Sequence, residues 1–127
     1  MIKIFKGARI GRLRVIFHLP QTIYGAWPAP SCWTKEPLAY IEWYSRLKET
    51  AEDDHEMYMV SKPSFSNTNA PPPGDIIPLS AIRQTCQLIP DFRNEIPKEW
   101  TNSNVLDLCK RFYLNSFSSK YAYQTIW

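Results

Sequence analysis

Apolar and charged residues alternate along residues 10–19 of this 127-residue chain. The apolar residues on one side of the segment are Leu13, Val15, Phe17 and Leu19. Arg12 and Arg14 lie on the other side. A period of two is typical of a half-buried β-strand, because successive side chains of an extended chain point to opposite faces. Proline has no amide hydrogen to donate to a sheet, so Pro20 ends the predicted strand.

Shorter patterns of the same kind predict several more elements. Further strands are predicted over 38–47, 57–61, 75–78, 83–90 and 111–115. One short helix is predicted over 105–109, with Ser103 or Asn104 as its cap. We expect one interior, shared by the inward-facing residues Leu13, Val15, Phe17, Ile41, Trp43, Cys86 and Leu88.

Long connections rich in proline separate these strands, most clearly at 21–37 and 64–74. Proline at this density forbids helix and favours extended loops. The pattern predicts a mainly β fold: a small, partly open barrel of five to six short strands with one short helix and long Pro-rich loops. We expect 1–127 to be a single β-barrel domain. Its parts would be the barrel core 8–115, a flexible loop over 64–74 and a tail over 116–127 that lacks clean alternation.

The sequence lacks the motifs of the common catalytic and cofactor sites. No GxxxxGK[ST], GxGxxG, HExxH or GxSxG occurs in it. Its three cysteines, Cys32, Cys86 and Cys109, are far apart, and neither histidine is spaced to join them around a metal. We therefore expect no enzymatic activity, no cofactor, no metal and cysteines that are buried thiols. No segment approaches the roughly 18 apolar residues that cross a bilayer, so we expect a soluble intracellular protein without a membrane partner.

Basic residues concentrate at both ends of the chain. The first acidic residue is Glu36, and several lysines and arginines precede it. The candidate phosphate-contacting residues are Arg12, Arg14, Lys110 and Arg111. Such side chains give nucleic acid a salt-sensitive affinity that does not depend on base sequence. The alternative is that these residues belong only to solvated strand faces.

Three tyrosines are candidate ligand-binding aromatics. Tyr40, Tyr44 and Tyr58 would project to one side if the second and third predicted strands pair. Grouped aromatic faces can enclose a cationic ligand such as methylated lysine, or stack on unpaired bases. The alternative is that they cover the loop that carries Trp27 and Trp33, which would pin it to the barrel.

The order of several phrases resembles a recurring block in fungal proteins. The phrases are ARIGRLRVIF, PLAYIEWYSRL, MYMVSK, DIIPLSAIRQTCQLIPDF and SNVLDLCKRFYLNSFSSKYAYQTIW. Over 8–127 this order is similar to the segment that follows the catalytic region in basidiomycete transposase proteins of the Plavaka and KDZ type. The resemblance rests on the order of strand phrases and includes no catalytic signature.

A more distant resemblance is to bromo-adjacent homology (BAH) domains. It rests on the phrase that runs from Trp43 to Arg46, and on Cys86-Gln87-Leu88 after the turn at 78–82. Leu47 stands where the usual proline follows the arginine.

These resemblances imply a Src-homology-3-like or BAH-like barrel in a nuclear, chromatin- or DNA-associated protein. We expect a non-catalytic accessory module that binds nucleic acid or a chromatin protein such as a histone tail. The alternative is a structural docking domain or remnant fragment of a larger transposase, without independent activity, whose partner would be the catalytic domain.

Overall fold

The computed structural model describes most of the chain. The described residues are 2–4, 9–47, 51, 56–63, 74–93 and 95–118. Residues 64–73 of the predicted flexible loop and 119–127 of the predicted tail lie outside the described residues.

The fold is mainly β, as the sequence predicts. Strands in the described part of the chain are β1 (Ile2–Ile4), β2 (Arg9–Phe17), β3 (Thr22–Ile23), β4 (Trp27–Pro28), β5 (Leu38–Trp43), β6 (Tyr58–Ser61), β7 (Gly74–Pro78), β8 (Gln84–Thr85), β9 (Leu88–Pro90) and β10 (Arg111–Leu114). One short α-helix, α1 (Val105–Leu108), and the 3₁₀ turns Leu79–Ala81 and Ser116–Ser118 complete these elements. More strands form than the predicted five to six, because strands of two or three residues are too short to show a period of two.

The strands form three antiparallel sheets. A five-stranded sheet has the order β7-β5-β2-β1-β8, and a three-stranded sheet has the order β6-β10-β9. The hairpin β3-β4 makes the third. No sheet within the described ranges closes into a barrel. The architecture is therefore two packed sheets and a small hairpin, consistent with the predicted small, mainly β domain.

A β-bulge interrupts the pairing of β2 with β5. Leu13 lies opposite Ile41 and Val15 lies opposite Tyr40, so Arg14 is the extra residue. Leu13 and Val15 consequently face opposite sides of the sheet. The expectation that they share an interior is wrong, and Val15 is 48% exposed. A count of alternating residues misses a bulge because it assumes one residue per step of the ladder.

Two hydrophobic clusters replace the single interior predicted from the sequence. The first joins the five-stranded sheet to the three-stranded one and contains Ile10, Tyr44, Val60, Cys109, Phe112 and Leu114. The second lies on the opposite face of the five-stranded sheet and contains Ala39, Ile41 and Trp43. Cys86 and Leu88 pack against the first cluster, and Leu13 packs against the second. The expected shared interior is therefore wrong, although Leu13, Cys86 and Leu88 are each partly buried.

Polar contacts hold Trp43 in the second cluster. Its indole Nε1–H donates to Asp75 Oδ2 at 2.7 Å, and the Arg9 guanidinium lies 4.4 Å from the centre of its ring. Gly11 lies opposite Trp43 in the ladder. A Cβ at Gly11 would stand 2.2 Å from Ile41 Cγ2, so the missing side chain leaves room for this packing.

Two further expectations about segments are corrected. The predicted strand 83–90 divides into β8, which pairs with β1, and β9, which pairs with β10. The predicted loop 21–37 contains the hairpin β3-β4. Trp27 is 70% exposed and does not pin this segment to the sheet.

The structure confirms the position of the predicted cap and corrects the expected burial of all three thiols. Asn104 is the N-cap residue of α1, but its side chain makes no capping hydrogen bond. Asn104 Oδ1 instead accepts from the amide of Thr101 at 2.7 Å. Cys109 is buried, whereas Cys32 is exposed.

No helix among the residues described has the length and apolar content that spanning a membrane requires.

Candidate functional site

A concave pocket lies between the end of β9, the loop before α1 and the start of β10. Its volume is about 390 Å³. The lining residues that bear on its chemistry are Asp91, Phe92, Arg93, Trp100, Lys110 and Arg111. We call this site the aromatic pocket. It combines an apolar wall with cationic groups, which is the composition of a site for a ligand with a flat apolar part and a negative charge.

Phe92 and Trp100 form the apolar wall of the aromatic pocket. Their ring centroids are 6.0 Å apart and their planes are tilted by 46°. Trp100 also packs against the first hydrophobic cluster, so the core fixes its position. Phe92 is 37% exposed. The wall is thus anchored from below and open to solvent at Phe92.

Asp91 organises the polar side of the aromatic pocket. Its Oδ2 accepts from Arg111 Nη2 at 2.6 Å, and its Oδ1 accepts from the amide of Arg93 at 3.2 Å. The second bond holds Arg93 in a left-handed backbone conformation, with φ of 50°. Both carboxylate oxygens of Asp91 are therefore occupied, and its charge is largely compensated by Arg111.

Lys110 connects the aromatic pocket to the rest of the basic surface. The amide of Lys62 donates to the carbonyl of Lys110 at 2.9 Å, which continues the ladder of β6 with β10 by one pair. Residues directly opposite in a ladder project to the same face. The two lysines therefore lie side by side at the end of the ladder, and of the two only Lys110 lines the pocket.

Asp107 joins Lys62 to the five-stranded sheet. Lys62 Nζ donates to the carbonyl oxygen of Asp107 at 2.7 Å, and Arg12 forms an ion pair with its carboxylate. The hydrogen bond from Arg12 lowers the pKa of Asp107 and raises the pKa of Arg12. Burial lowers the pKa of Lys62, and the charge of Arg12 acts in the same direction. Cations from two sheets thus meet at one residue, Arg12 at the carboxylate of Asp107 and Lys62 at its backbone carbonyl.

Arg14 extends this group along β2. Its Nε lies 3.5 Å from Glu42 Oε1, and Glu42 lies opposite Arg12 in the ladder. Arg14, the extra residue of the bulge, therefore reaches the side of the sheet on which Arg12 and Glu42 lie. We call the four cations Lys110, Lys62, Arg12 and Arg14 the basic track.

The hydroxyl of Tyr44 is buried near Arg12. Tyr44 is 4% exposed, and its hydroxyl has no hydrogen-bond partner in the part of the chain that the structure describes. Burial raises the pKa of Tyr44 to about 12, against the opposing charge of Arg12. The hydroxyl therefore remains protonated at neutral pH, and nothing about it indicates a proton-transfer group.

An apolar row crosses the five-stranded sheet beyond the basic track. Val15, Tyr40 and Ile76 lie opposite one another on three neighbouring strands. Val15 and Ile76 are exposed, and Tyr40 is half-buried. The hydroxyl end of the Tyr40 ring lies over Gly74, at the place a Cβ would occupy. We call this surface the open face.

The structure separates the three predicted aromatic residues. The strands that carry them do not pair, since β5 lies between β2 and β7 whereas β6 pairs with β10. Tyr44 is buried in the first cluster, where its ring meets Phe112 edge-on at 5.7 Å, and Tyr58 packs against that cluster. Only Tyr40 lies on the open face. The predicted single tyrosine surface is wrong.

The four predicted phosphate-contacting residues divide between two places. Arg12 and Arg14 lie on the basic track, paired with Asp107 and Glu42. Lys110 and Arg111 line the aromatic pocket, and Arg111 is held by Asp91. Lys110 is exposed. Lys62 is the residue that brings the two places together.

Sequence reasoning missed Lys62, Phe92 and Trp100. Lys62 follows a short strand and has no charged neighbour in sequence. Phe92 and Trp100 lie in an irregular stretch without alternation, so no periodic pattern marks them. Phe92 adjoins Arg93 after a proline, and an aromatic residue beside a cation in a loop was the one local signal available.

A larger cavity of about 600 Å³ lies where the end of β2 meets the segment after β4. Its lining includes His18, Trp33 and Lys35 among prolines and small polar residues. His18 and Trp33 are its aromatic side chains and Lys35 is its one lysine, and no ion pair between described residues organises it. The aromatic pocket therefore has the more specific chemistry.

No group of three or more metal-ligating side chains occurs among the described residues. Comparison with protein-family models, with curated proteins and with solved structures finds no match to this chain.

Proposed function

We propose that the protein is a non-catalytic interaction module that binds unpaired nucleic acid. The observation that carries this proposal is the aromatic pocket, in which Phe92 and Trp100 adjoin Lys110 and Arg93. A base would stack on the aromatic wall while its phosphate contacts the cations. Stacking tolerates every base, because every base has a π-face, and the cations follow the backbone.

The charges of the aromatic pocket favour an anionic ligand over a cationic one. Three cations line it, Arg93, Lys110 and Arg111, against the carboxylates of Asp91 and Glu95. Asp91 already accepts hydrogen bonds through both oxygens. A methylated lysine of a histone tail would gain cation–π contacts from the aromatic wall but would meet net repulsion from the cations here. The phosphate of a nucleotide meets attraction.

The shape of the described elements favours a single strand over a duplex. Reading the major groove requires an inserted helix or a two-stranded ribbon. The helix α1 has four residues, and the strands of the hairpin β3-β4 have two residues each. A concave pocket instead accepts a base that is free of its partner.

The proposal is tested by fluorescence anisotropy with labelled oligonucleotides at low salt. We expect saturable binding of single-stranded DNA and RNA, and weaker binding of duplex DNA and of a methylated histone peptide. Phe92→Ala should weaken single-strand binding by roughly 5- to 150-fold, the equivalent of about 1–3 kcal/mol for one stacked base. Lys110→Ala should also weaken it and flatten its salt dependence.

Lys35→Ala is the matched control, since this exposed lysine lies outside the aromatic pocket. It should leave the affinity nearly unchanged. The absence of saturable single-strand binding, or equal affinities for the native protein and Phe92→Ala, would overturn the proposal. Tighter binding of the histone peptide than of any oligonucleotide would point to a chromatin protein instead.

A further inference from the structure

We infer that the nucleic-acid site continues from the aromatic pocket along the basic track to the open face, so that one strand contacts aromatic groups at both ends. This inference rests on the proposed function and extends it from one nucleotide to a strand. The contacts that carry it are the continuous links from Lys110 through Lys62 and Asp107 to Arg12.

The links are made by hydrogen bonds and ion pairs, each of which joins neighbouring elements. Lys110 lies opposite Lys62, and both Lys62 and Arg12 contact Asp107. Glu42 then lies opposite Arg12 and beside Arg14. The track therefore crosses from the three-stranded sheet, over α1, to the five-stranded sheet without a gap.

The charge along this path is positive overall. Four cations face two carboxylates, those of Asp107 and Glu42. The side chain of Arg12 is paired with Asp107 and only 21% exposed, whereas that of Arg14 is 43% exposed. Lys110 is exposed, and Lys62 keeps two N–H donors besides its bond to Asp107, so we assign the phosphate contacts to Lys110, Lys62 and Arg14. A polyanionic strand therefore meets a net favourable charge along this surface.

The open face supplies the second aromatic group at the far end of the track. Tyr40 lies directly opposite Val15, which follows Arg14 in the chain. With Val15 and Ile76 on either side, Tyr40 forms an apolar row that begins next to Arg14. A sheet surface of this composition suits stacking of unpaired bases, in the manner of the sheet platforms that bind single strands.

The length of the oligonucleotide separates this inference from the function on which it rests. A dinucleotide reaches only the aromatic pocket, whereas an octanucleotide covers a site within the usual range of about 4–16 nucleotides. Each phosphate neutralised on a single strand contributes about −0.7 to the slope of log affinity against log salt. We expect a slope of about −0.7 for the dinucleotide and about −2.1 for the octanucleotide.

Variants of the track should affect only the longer ligand. Arg14→Gln together with Lys62→Gln should return the octanucleotide slope to about −0.7 and leave dinucleotide binding unchanged. Because Lys62 also holds a carbonyl of α1, Arg14→Gln alone is the second variant, with an expected slope near −1.4. Tyr40→Ala should weaken octanucleotide binding by roughly 5-fold or more. Arg83→Gln, an exposed arginine outside the track, is the matched control.

Measurements with DNA and RNA oligonucleotides of equal length distinguish the two sources of such a strand. Equal affinities and slopes for the dinucleotide and octanucleotide would overturn the inference and leave the pocket proposal standing. An octanucleotide slope that Arg14→Gln does not change would overturn it as well. If neither ligand binds, the proposed function itself is wrong.

Discussion

Arg12 on β2 forms an ion pair with Asp107 on α1, although the two residues are 95 positions apart in the chain. The pair joins the five-stranded sheet to the segment that leads into the three-stranded sheet. The ammonium group of Lys62 donates a hydrogen bond to the backbone carbonyl of Asp107. Asp107 is therefore the point at which the elements that carry the basic track meet.

Replacing Asp107 should destabilise the fold in a pH-dependent way. Arg12 holds the pKa of this carboxyl below its usual 3.8, so its contribution is present above about pH 4 and is lost as the pH falls through the lowered value. Because the carboxylate is largely exposed, Asp107→Asn should lower the free energy of unfolding at pH 7 by at most about 1 kcal/mol.

Urea unfolding of the native protein and Asp107→Asn at pH 7 and near pH 3 measures this effect. The difference in stability between the native protein and Asp107→Asn should be smaller near pH 3 than at pH 7. Glu99→Gln is the control, because Glu99 is exposed and lies outside the ion pair, and its stability should equal that of the native protein at both pH values. A gap that is independent of pH would contradict the role given to the ion pair.

Removing the Tyr44 hydroxyl should leave the protein as stable as before or slightly more so. The hydroxyl is desolvated without a hydrogen-bond partner among the described residues, which is unfavourable, while the ring keeps its edge-on contact with Phe112. Tyr44→Phe should raise the free energy of unfolding at pH 7 by up to about 1 kcal/mol. Chemical denaturation measures this, and a loss of stability would reveal an interaction of the hydroxyl.

Alkaline pH should destabilise the native protein through the same residue. Burial raises the pKa of Tyr44 to about 12, above the 10.0 of a free tyrosine. The raised pKa contributes its full share of the free energy of unfolding below about pH 10. This contribution is lost as the pH rises through the pKa that Tyr44 has in the folded state. The stability advantage of Tyr44→Phe should therefore widen between pH 9 and 11.5, whereas the exposed Tyr24→Phe should show no such change.

A side chain at Gly11 should destabilise the five-stranded sheet. A Cβ would stand 2.2 Å from Ile41 Cγ2 and 3.2 Å from the carbonyl oxygen of Glu42, so side chain and backbone must both shift. Gly11→Ala should lower the free energy of unfolding by about 1–3 kcal/mol in thermal or chemical denaturation. Gly25→Asn is the control, because this site has open space and asparagine tolerates its φ of 71°. Equal losses in the two variants would contradict the steric argument.

Trp43→Phe should remove a specific hydrogen bond from the second cluster. The indole Nε1–H donates to Asp75 Oδ2 at 2.7 Å, and phenylalanine has no donor. We expect a loss of about 1–3 kcal/mol in the free energy of unfolding, which includes the smaller contact with Arg9. Asp75→Asn keeps an acceptor oxygen and should lose less. If it loses as much, the carboxylate charge rather than the hydrogen bond is the stabilising feature.

Sequence patterns locate the longer strands well, because their burial follows the simple period of two. The second predicted strand begins at Leu38 as observed, and Ala39, Ile41 and Trp43 are buried as expected. The last predicted strand, 111–115, corresponds to β10. The arrangement of these strands into two sheets could not be predicted, because pairing depends on contacts distant in the chain.

The candidate site was only partly predictable for the same reason. Arg12 and Arg14 were identified by their alternation with apolar residues, and Lys110 by its basic neighbourhood. Lys62 and Trp100 acquire their positions only through the ladder of β6 with β10 and through packing on the first cluster. The alternation of β5 predicts that Tyr44 faces outward, and its amide does continue the ladder by donating to the carbonyl of Ile10. The three-stranded sheet covers this face of the five-stranded sheet, so Tyr44 is buried in the first cluster.

The bulge at Arg14 gives β2 one residue more than its ladder needs. Deleting Arg14 would leave a regular ladder in which Val15 still meets Tyr40, so a chain shorter by one residue at this point would keep both sides of the sheet intact. Deleting Gly11 instead would turn the side chains of the strand residues before it to the opposite face of the sheet. Length variation within this strand is thus tolerable at a single position, and that position carries a cation and not a core residue.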